Sequence, residues 1–222
     1  MCGRYILAQQ ARAEKAFGVK RLRWFDMLSY NVAPSREVPV VRVADGICEG
    51  VMMRWGLVPF FLEGELPKFA TINARIETME TAPSYRGPWK RGQRCIVPAE
   101  GFYEWQVLPG GSKQPWYVGL ASREVMPFAA LWDRSVKADG TAIESFAIIT
   151  LPANDFMAEI HNEKLRMPAI LRAEDVDAWL MGTPEQARRA LIQFPGDSLR
   201  AHRVSTRVNS PKNDDEKLME SV

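Results

Sequence analysis

The chain has 222 residues, 46% of them hydrophobic, with seven Trp and ten Phe, enough for one large domain with a substantial core or two small ones. Its 29 Lys and Arg balance 27 Asp and Glu, so net charge alone does not mark a nucleic-acid binder. Three scattered cysteines and two distant histidines exclude a disulfide framework and a CxxC or His-rich metal site. No signal peptide and no apolar run long enough to span a bilayer are present, so a reducing cytoplasmic or nucleoid-associated location is expected, with no membrane partner.

In chain order, residues 8–17 are rich in Ala, Gln, Glu and Lys and precede Gly18, which predicts a short helix with a glycine stop. Residues 38–43, the Ala44-Asp45-Gly46 turn and residues 47–55 predict a β-hairpin. One or two helical turns are expected over 83–90. Strands follow over 94–105, 115–120, 128–132 and 143–151, separated by turns such as Pro109-Gly110-Gly111-Ser112 and Ala138-Asp139-Gly140. A helix is expected to begin at Pro152 with Phe156, Met157 and Ile160 on one face, then helices over 174–180 and 184–194, the last capped by Thr183. Residues 202–208 read as a returning strand. Residues 1–209 therefore form a single α+β domain, β-rich in the middle and helical at its flanks, and 210–222 are polar and expected to be flexible.

Several segments carry reactive groups. If Met1 is removed, which the small side chain at position 2 permits, Cys2 presents an α-amine and a thiol on adjacent carbons. Such a pair can attack one aldehyde twice, giving an imine and then a thiazolidine ring. Arg4 is expected to depress the pKa values of both groups. The plain alternative is a small residue after the start codon. Asn73 and Arg75 share a side if extended, and suit either a phosphate and a sugar hydroxyl or a turn and a surface. Glu104, among Phe102, Tyr103 and Trp105, is expected to have a raised pKa, as a proton carrier or as half of an ion pair. His161, at the end of a helix, is expected to be stabilised as imidazolium, for proton donation or as a cap. Phe60 and Phe61 are stacking rings for single-stranded nucleic acid or part of the core, whereas Trp55 and Trp105 are assigned to packing.

These segments together resemble the SOS-response-associated peptidase (SRAP) family, whose members process abasic sites and crosslink to damaged single-stranded DNA. The resemblance runs in order through Met1-Cys2-Gly3-Arg4-Tyr5, Tyr30-Asn31-Val32-Ala33-Pro34, Arg54-Trp55-Gly56-Leu57-Val58-Pro59, residues 73–78, residues 94–105, Ile160-His161, residues 166–171 and residues 204–209. It implies a β-rich core of mostly antiparallel strands in a barrel-like arrangement with flanking short helices. It implies an abasic-site crosslinker that needs no cofactor or metal, with (auto)peptidase and lyase-type or adduct-reversing activity. Its partners would be abasic single-stranded DNA and the replication machinery, and the protein a monomer. Cys2, Asn73, Glu104 and His161 match the family's active-site positions; Arg4, Arg75, Arg86, Thr150 and Arg166 match DNA-facing ones, and Phe61 stands where a stacking tryptophan is often found. Asn162-Glu163-Lys164-Leu165 make the loop between His161 and Arg166 three residues longer than the family pattern. Two other classes stay open: a cysteine peptidase built on Cys2, His161 and Asn73, and a non-catalytic binder of single-stranded or modified DNA.

Overall fold

The computed structural model describes residues 2–222. In chain order it runs β1 (Tyr5–Leu7), α1 (Gln10–Phe17), β2 (Arg21–Arg23), β3 (Glu37–Ala44), β4 (Ile47–Trp55), β5 (Asn73–Arg75), α2 (Pro83–Lys90) and β6 (Arg94–Val107). There follow β7 (Lys113–Leu120), β8 (Met126–Val136), β9 (Ala142–Pro152), α3 (Asp155–Ile160), β10 (Arg166–Pro168), α4 (Val176–Met181), α5 (Pro184–Arg189) and β11 (Leu199–Arg203).

Pairing of β3 with β4, β4 with β9, β9 with β8, β8 with β6 and β6 with β3 closes a five-stranded barrel. The β4–β9 contact is its one parallel seam. Closure removes free strand edges and buries the inward rows, where Val38, Val40, Met53, Trp55, Val97, Phe128 and Phe146 are fully enclosed. The β3–β4 hairpin turns through Asp45 (φ 53°) and Gly46 (φ 72°), both left-handed, which is the backbone its two-residue connection requires.

The β6 strand is the structural spine. Its first half pairs with β8 inside the barrel; its second half leaves the barrel and pairs with β7, which in turn pairs with β11. This outer ladder covers a smaller core of Ile6, Tyr103, Tyr117, Val204, Val208 and Leu218. The short β1 strand lies on β6 between the two cores, with Tyr5 and Leu7 facing the barrel and Ile6 facing the outer cluster. Cys2, three residues before β1, packs in the barrel core.

Several expectations need correction. The helix expected from Pro152 starts at Asp155, because Pro152 is still paired with Arg166 and the Asn154 side chain accepts the Met157 N–H as the N-cap. The helix capped by Thr183 has its reciprocal Gln186 contact but ends at Arg189 rather than Phe194. The last strand ends at Arg203, and Thr206–Asn209 form a 3-10 turn capped by Ser205. Residues 210–222, expected to be loose, are folded against the domain: Leu218 is fully buried, and the Asp214 carboxylate binds the segment from Ser29 to Asn31.

Candidate active site

Backbone bonds fix the amino-terminal segment before any side chain acts. The Tyr103 N–H donates to the Arg4 carbonyl at 3.0 Å, and Tyr5 and Val32 exchange bonds at 3.3 and 2.8 Å. The Asn73 side chain donates to the Cys2 carbonyl at 2.9 Å. Asn73 is itself held twice, by β5 pairing with Ile148 of β9 and by the Tyr85 hydroxyl donating to its carbonyl at 3.0 Å. Cys2 is only 1% exposed. Burial, reinforced by the nearby Glu104 charge, pushes its thiol far above the ordinary range. For the thiol, the depression expected from the Arg4 charge does not appear, because that guanidinium turns to the carbonyls of Val208 (3.0 Å) and Asn209 (3.5 Å).

Glu104 lies on the part of β6 that has left the barrel, and it is 2% exposed. Burial pushes its carboxyl up to about 7, the direction expected from its aromatic neighbours. His161 caps α3 and brings Nδ1 to 3.6 Å from Glu104 Oε1. Nδ1 also lies 2.9 Å from the Arg166 carbonyl. A carbonyl only accepts, so Nδ1 carries the proton and the neutral ring keeps its lone pair on Nε2. Burial moves the His161 pKa down, opposite to the imidazolium expected from its helix end. A six-residue helix end does not offset the loss of water around an imidazole that is 5% exposed.

The longer loop after His161 is docked against the β6–β7 end. Asn162 accepts the Val107 N–H and donates to the Val107 carbonyl, both at 2.9 Å, and Leu165 adopts φ 50° to turn the chain back. Arg166 therefore points inward. It forms a fork with Glu77 at 2.5 and 3.0 Å and donates to the Thr150 carbonyl at 2.6 Å. Thr150 is fully buried and pairs in register with Arg75, so Thr150 and Arg166 support the exposed Arg75 strand from beneath. Arg86 is exposed on α2, one residue after Tyr85.

Phe60 and Phe61 are 53% and 48% exposed and meet edge to face at 5.7 Å. Arg91 lies over the Phe60 ring at 5.0 Å, and Asp133 accepts from both the Phe60 N–H and the Arg91 guanidinium. Trp55 is a core residue, and Trp105 donates to Asn209 at 2.8 Å. Tyr85, Glu77 and Asp133 were not singled out from sequence. Glu77 sits inside the segment 73–78 that carries part of the family resemblance, and that segment is its signal in the sequence. Among the described residues, no helix is long and apolar enough to cross a membrane, and no His, Cys, Asp and Glu group is placed to hold a metal ion.

Solved structures share this architecture. A crystal structure of a protein from Bacteroides thetaiotaomicron superposes with a TM-score of 0.88 at 27% identity, over 100% of both chains. One from Bordetella bronchiseptica gives 0.80 at 28%, covering 92% of this chain and 100% of the other. The abasic site processing protein YoqW of Bacillus subtilis is 37% identical over 197 residues, covering 87% of this chain and 86% of its own. The abasic site processing protein HMCES of Gallus gallus is 34% identical over 84% of this chain and 64% of its own. The model of the SOS response associated peptidase family matches residues 1–211, and the chain belongs to that family.

Proposed function

We propose that this protein captures abasic sites in single-stranded DNA as a covalent adduct on Cys2 once Met1 has been removed. Met1 lies outside the described residues. The observation that carries the reading is convergence: Cys2, Asn73, Glu104 and His161 come from four separate segments and meet in one buried group. The naming of relatives in Bacillus subtilis and Gallus gallus as abasic site processing proteins supports it.

The chemistry follows from the protonation states. Burial keeps the thiol protonated, so the α-amine attacks the ring-opened aldehyde first. Glu104, its carboxyl raised to about 7 and so partly protonated near neutral pH, donates a proton to the departing hydroxyl, and as water leaves its carboxylate takes back the proton that the nitrogen gives up, leaving the imine. The sulfur then adds to the imine carbon as His161 Nε2 relays the thiol proton to nitrogen, closing a thiazolidine. One water is lost overall and nothing is oxidised. Asn73 holds the Cys2 carbonyl and so aims both nucleophiles. Arg75 and Arg86 contact phosphates, Phe61 stacks on a base, and Arg4 contributes the part of its guanidinium left by Val208 and Asn209. A general cysteine peptidase is the weaker reading, since that nucleophile is a thiolate.

The test is denaturing electrophoresis of Met1-processed protein mixed with abasic single-stranded DNA, with mass spectrometry of the linked residue. Wild type forms a heat-stable adduct on Cys2. Cys2→Ser closes a weaker ring, and Cys2→Ala gives only an imine trapped by borohydride. Heat-stable adduct from Cys2→Ala at the wild-type level overturns ring closure.

A further inference from the structure

The carboxy-terminal segment makes a dense set of contacts with the loop that pairs with β1, the strand just after the nucleophile. Asp214 Oδ1 accepts the N–H groups of Tyr30 at 2.5 Å and Asn31 at 2.9 Å, while Oδ2 accepts the Ser29 hydroxyl at 2.9 Å and Arg36 at 3.0 Å. Asn31, fully buried, points its side-chain amide back at the carbonyls of Val208 (3.2 Å), Ser210 (3.1 Å) and Asn213 (2.8 Å). Leu218 packs in the same small cluster as Ile6 of β1.

The segment held by Asp214 and Asn31 is the one that pairs with β1. Leu7 donates to the Ser29 carbonyl at 2.9 Å, and Val32 donates to the Tyr5 carbonyl at 2.8 Å. The Arg4 guanidinium donates directly to Val208 at 3.0 Å. Arg4, Tyr5, Ile6 and Leu7 are thus each tied either to the carboxy-terminal segment or to the loop it holds. Cys2 is two residues upstream of Arg4. For a reaction in which nitrogen and sulfur must both reach one carbon, a displacement of about 1 Å costs on the order of 10²-fold in rate.

We propose that residues 208–214 form a strap that positions the amino-terminal nucleophile, with Asp214 as its positioning residue. The proposal rests on the reading of Cys2 as the crosslinking residue. Asp214 does not touch the reacting atoms. It sets the loop from Ser29 to Asn31, and that loop sets β1.

Single-turnover adduct formation over a range of abasic single-stranded DNA concentrations separates the maximal rate from the half-saturating concentration. Asp214→Ala is expected to lower the maximal rate about 10-fold and leave half-saturation within about twofold. Asp214→Asn keeps an oxygen for the Tyr30 and Asn31 N–H groups and is expected to restore most of the rate, which a general loss of stability would not explain. Ser29→Ala, which removes one hydroxyl, is expected to lower the maximal rate about threefold and decides the matter if Asp214→Ala does not fold. A wild-type maximal rate in folded Asp214→Ala or in Ser29→Ala overturns the strap. Absence of adduct from the wild type overturns the crosslinking reading instead, so the two failures are distinguishable.

Discussion

Two glutamates are almost equally buried and meet opposite fates. Glu49, on β4, is 1% exposed; Glu104, on β6, is 2% exposed. Burial raises the pKa of both. At Glu49 the hydrogen bond and charge of Arg42 at 2.8 Å, with Arg21 and Arg23 at 3.3 and 3.7 Å, more than offset burial, and the carboxylate stays ionised. At Glu104 burial outweighs the lowering effects of the amino-terminal charge, the Trp105 N–H and Lys164, and the carboxyl rises to about 7, with the His161 imidazole at 3.6 Å itself held neutral by burial. A buried carboxylate stays ionised or holds its proton according to whether the hydrogen bonds and charges around it outweigh burial, so burial alone does not identify a functional acid.

The largest effect that would break this comparison is kinetic. Glu104→Gln keeps the shape of the side chain and removes its proton, and is expected to slow adduct formation by about 10² to 10⁴-fold. Glu49→Gln, measured the same way, is expected to match the wild-type rate within about twofold per folded molecule. Equal losses in both variants would place Glu104 among the structural ion pairs.

The second effect is on stability and has the opposite assignment. Removing one partner of a buried pair leaves the other uncompensated, so Glu49→Gln is expected to cost about 3 kcal/mol in a urea melt at pH 7. The buried Arg42 keeps Glu144 at 3.0 Å and its place over the Trp132 ring at 4.5 Å, which sets that figure at the lower end of the range for broken buried pairs. A loss under about 1 kcal/mol would mean that Glu144 alone satisfies Arg42.

The same contrast explains what the sequence could and could not disclose. The β3–β4 hairpin was legible because Asp45-Gly46 and the flanking apolar runs are local signals, and the α5 cap because Thr183, Pro184 and Gln186 lie within four residues. Barrel closure was not legible in the same way, since the parallel pairing of Trp55 with Phe146 leaves no mark on either segment alone. Polar composition alone implies looseness over residues 210–222, whereas Asp214 and Asn213 contact buried Asn31 and Ser29, partners far away in sequence. At the site, family resemblance named the four clustered residues, and aromatic neighbours gave the direction of the Glu104 shift. The protonation of His161 depended on the Arg166 carbonyl that the loop turn brings to it, a tertiary contact.

The smallest effect is a pH dependence whose sign separates the two carboxylates. Glu104 has a folded pKa near 7 against an ordinary value of 4.5, so between those pH values the folded state binds more protons than the unfolded one. Its contribution to stability is therefore present below about pH 4.5 and lost as pH rises through about 7. Glu104→Gln removes this titration, so the variant is expected to gain on the wild type across that window, by at most about 3 kcal/mol. His161, shifted downward, acts with the opposite sign below its ordinary pKa and is present in both proteins, so it largely cancels in the difference. Glu49, shifted downward, predicts the reverse for Glu49→Gln: its deficit grows as pH rises through the carboxylate range and is complete well below pH 7. Paired melts of wild type and Glu104→Gln from pH 4 to 8 measure the first difference directly. A gap that does not change between pH 4.5 and 8 would mean that Glu104 titrates as an ordinary carboxylate, and its role as the proton donor would fall with it.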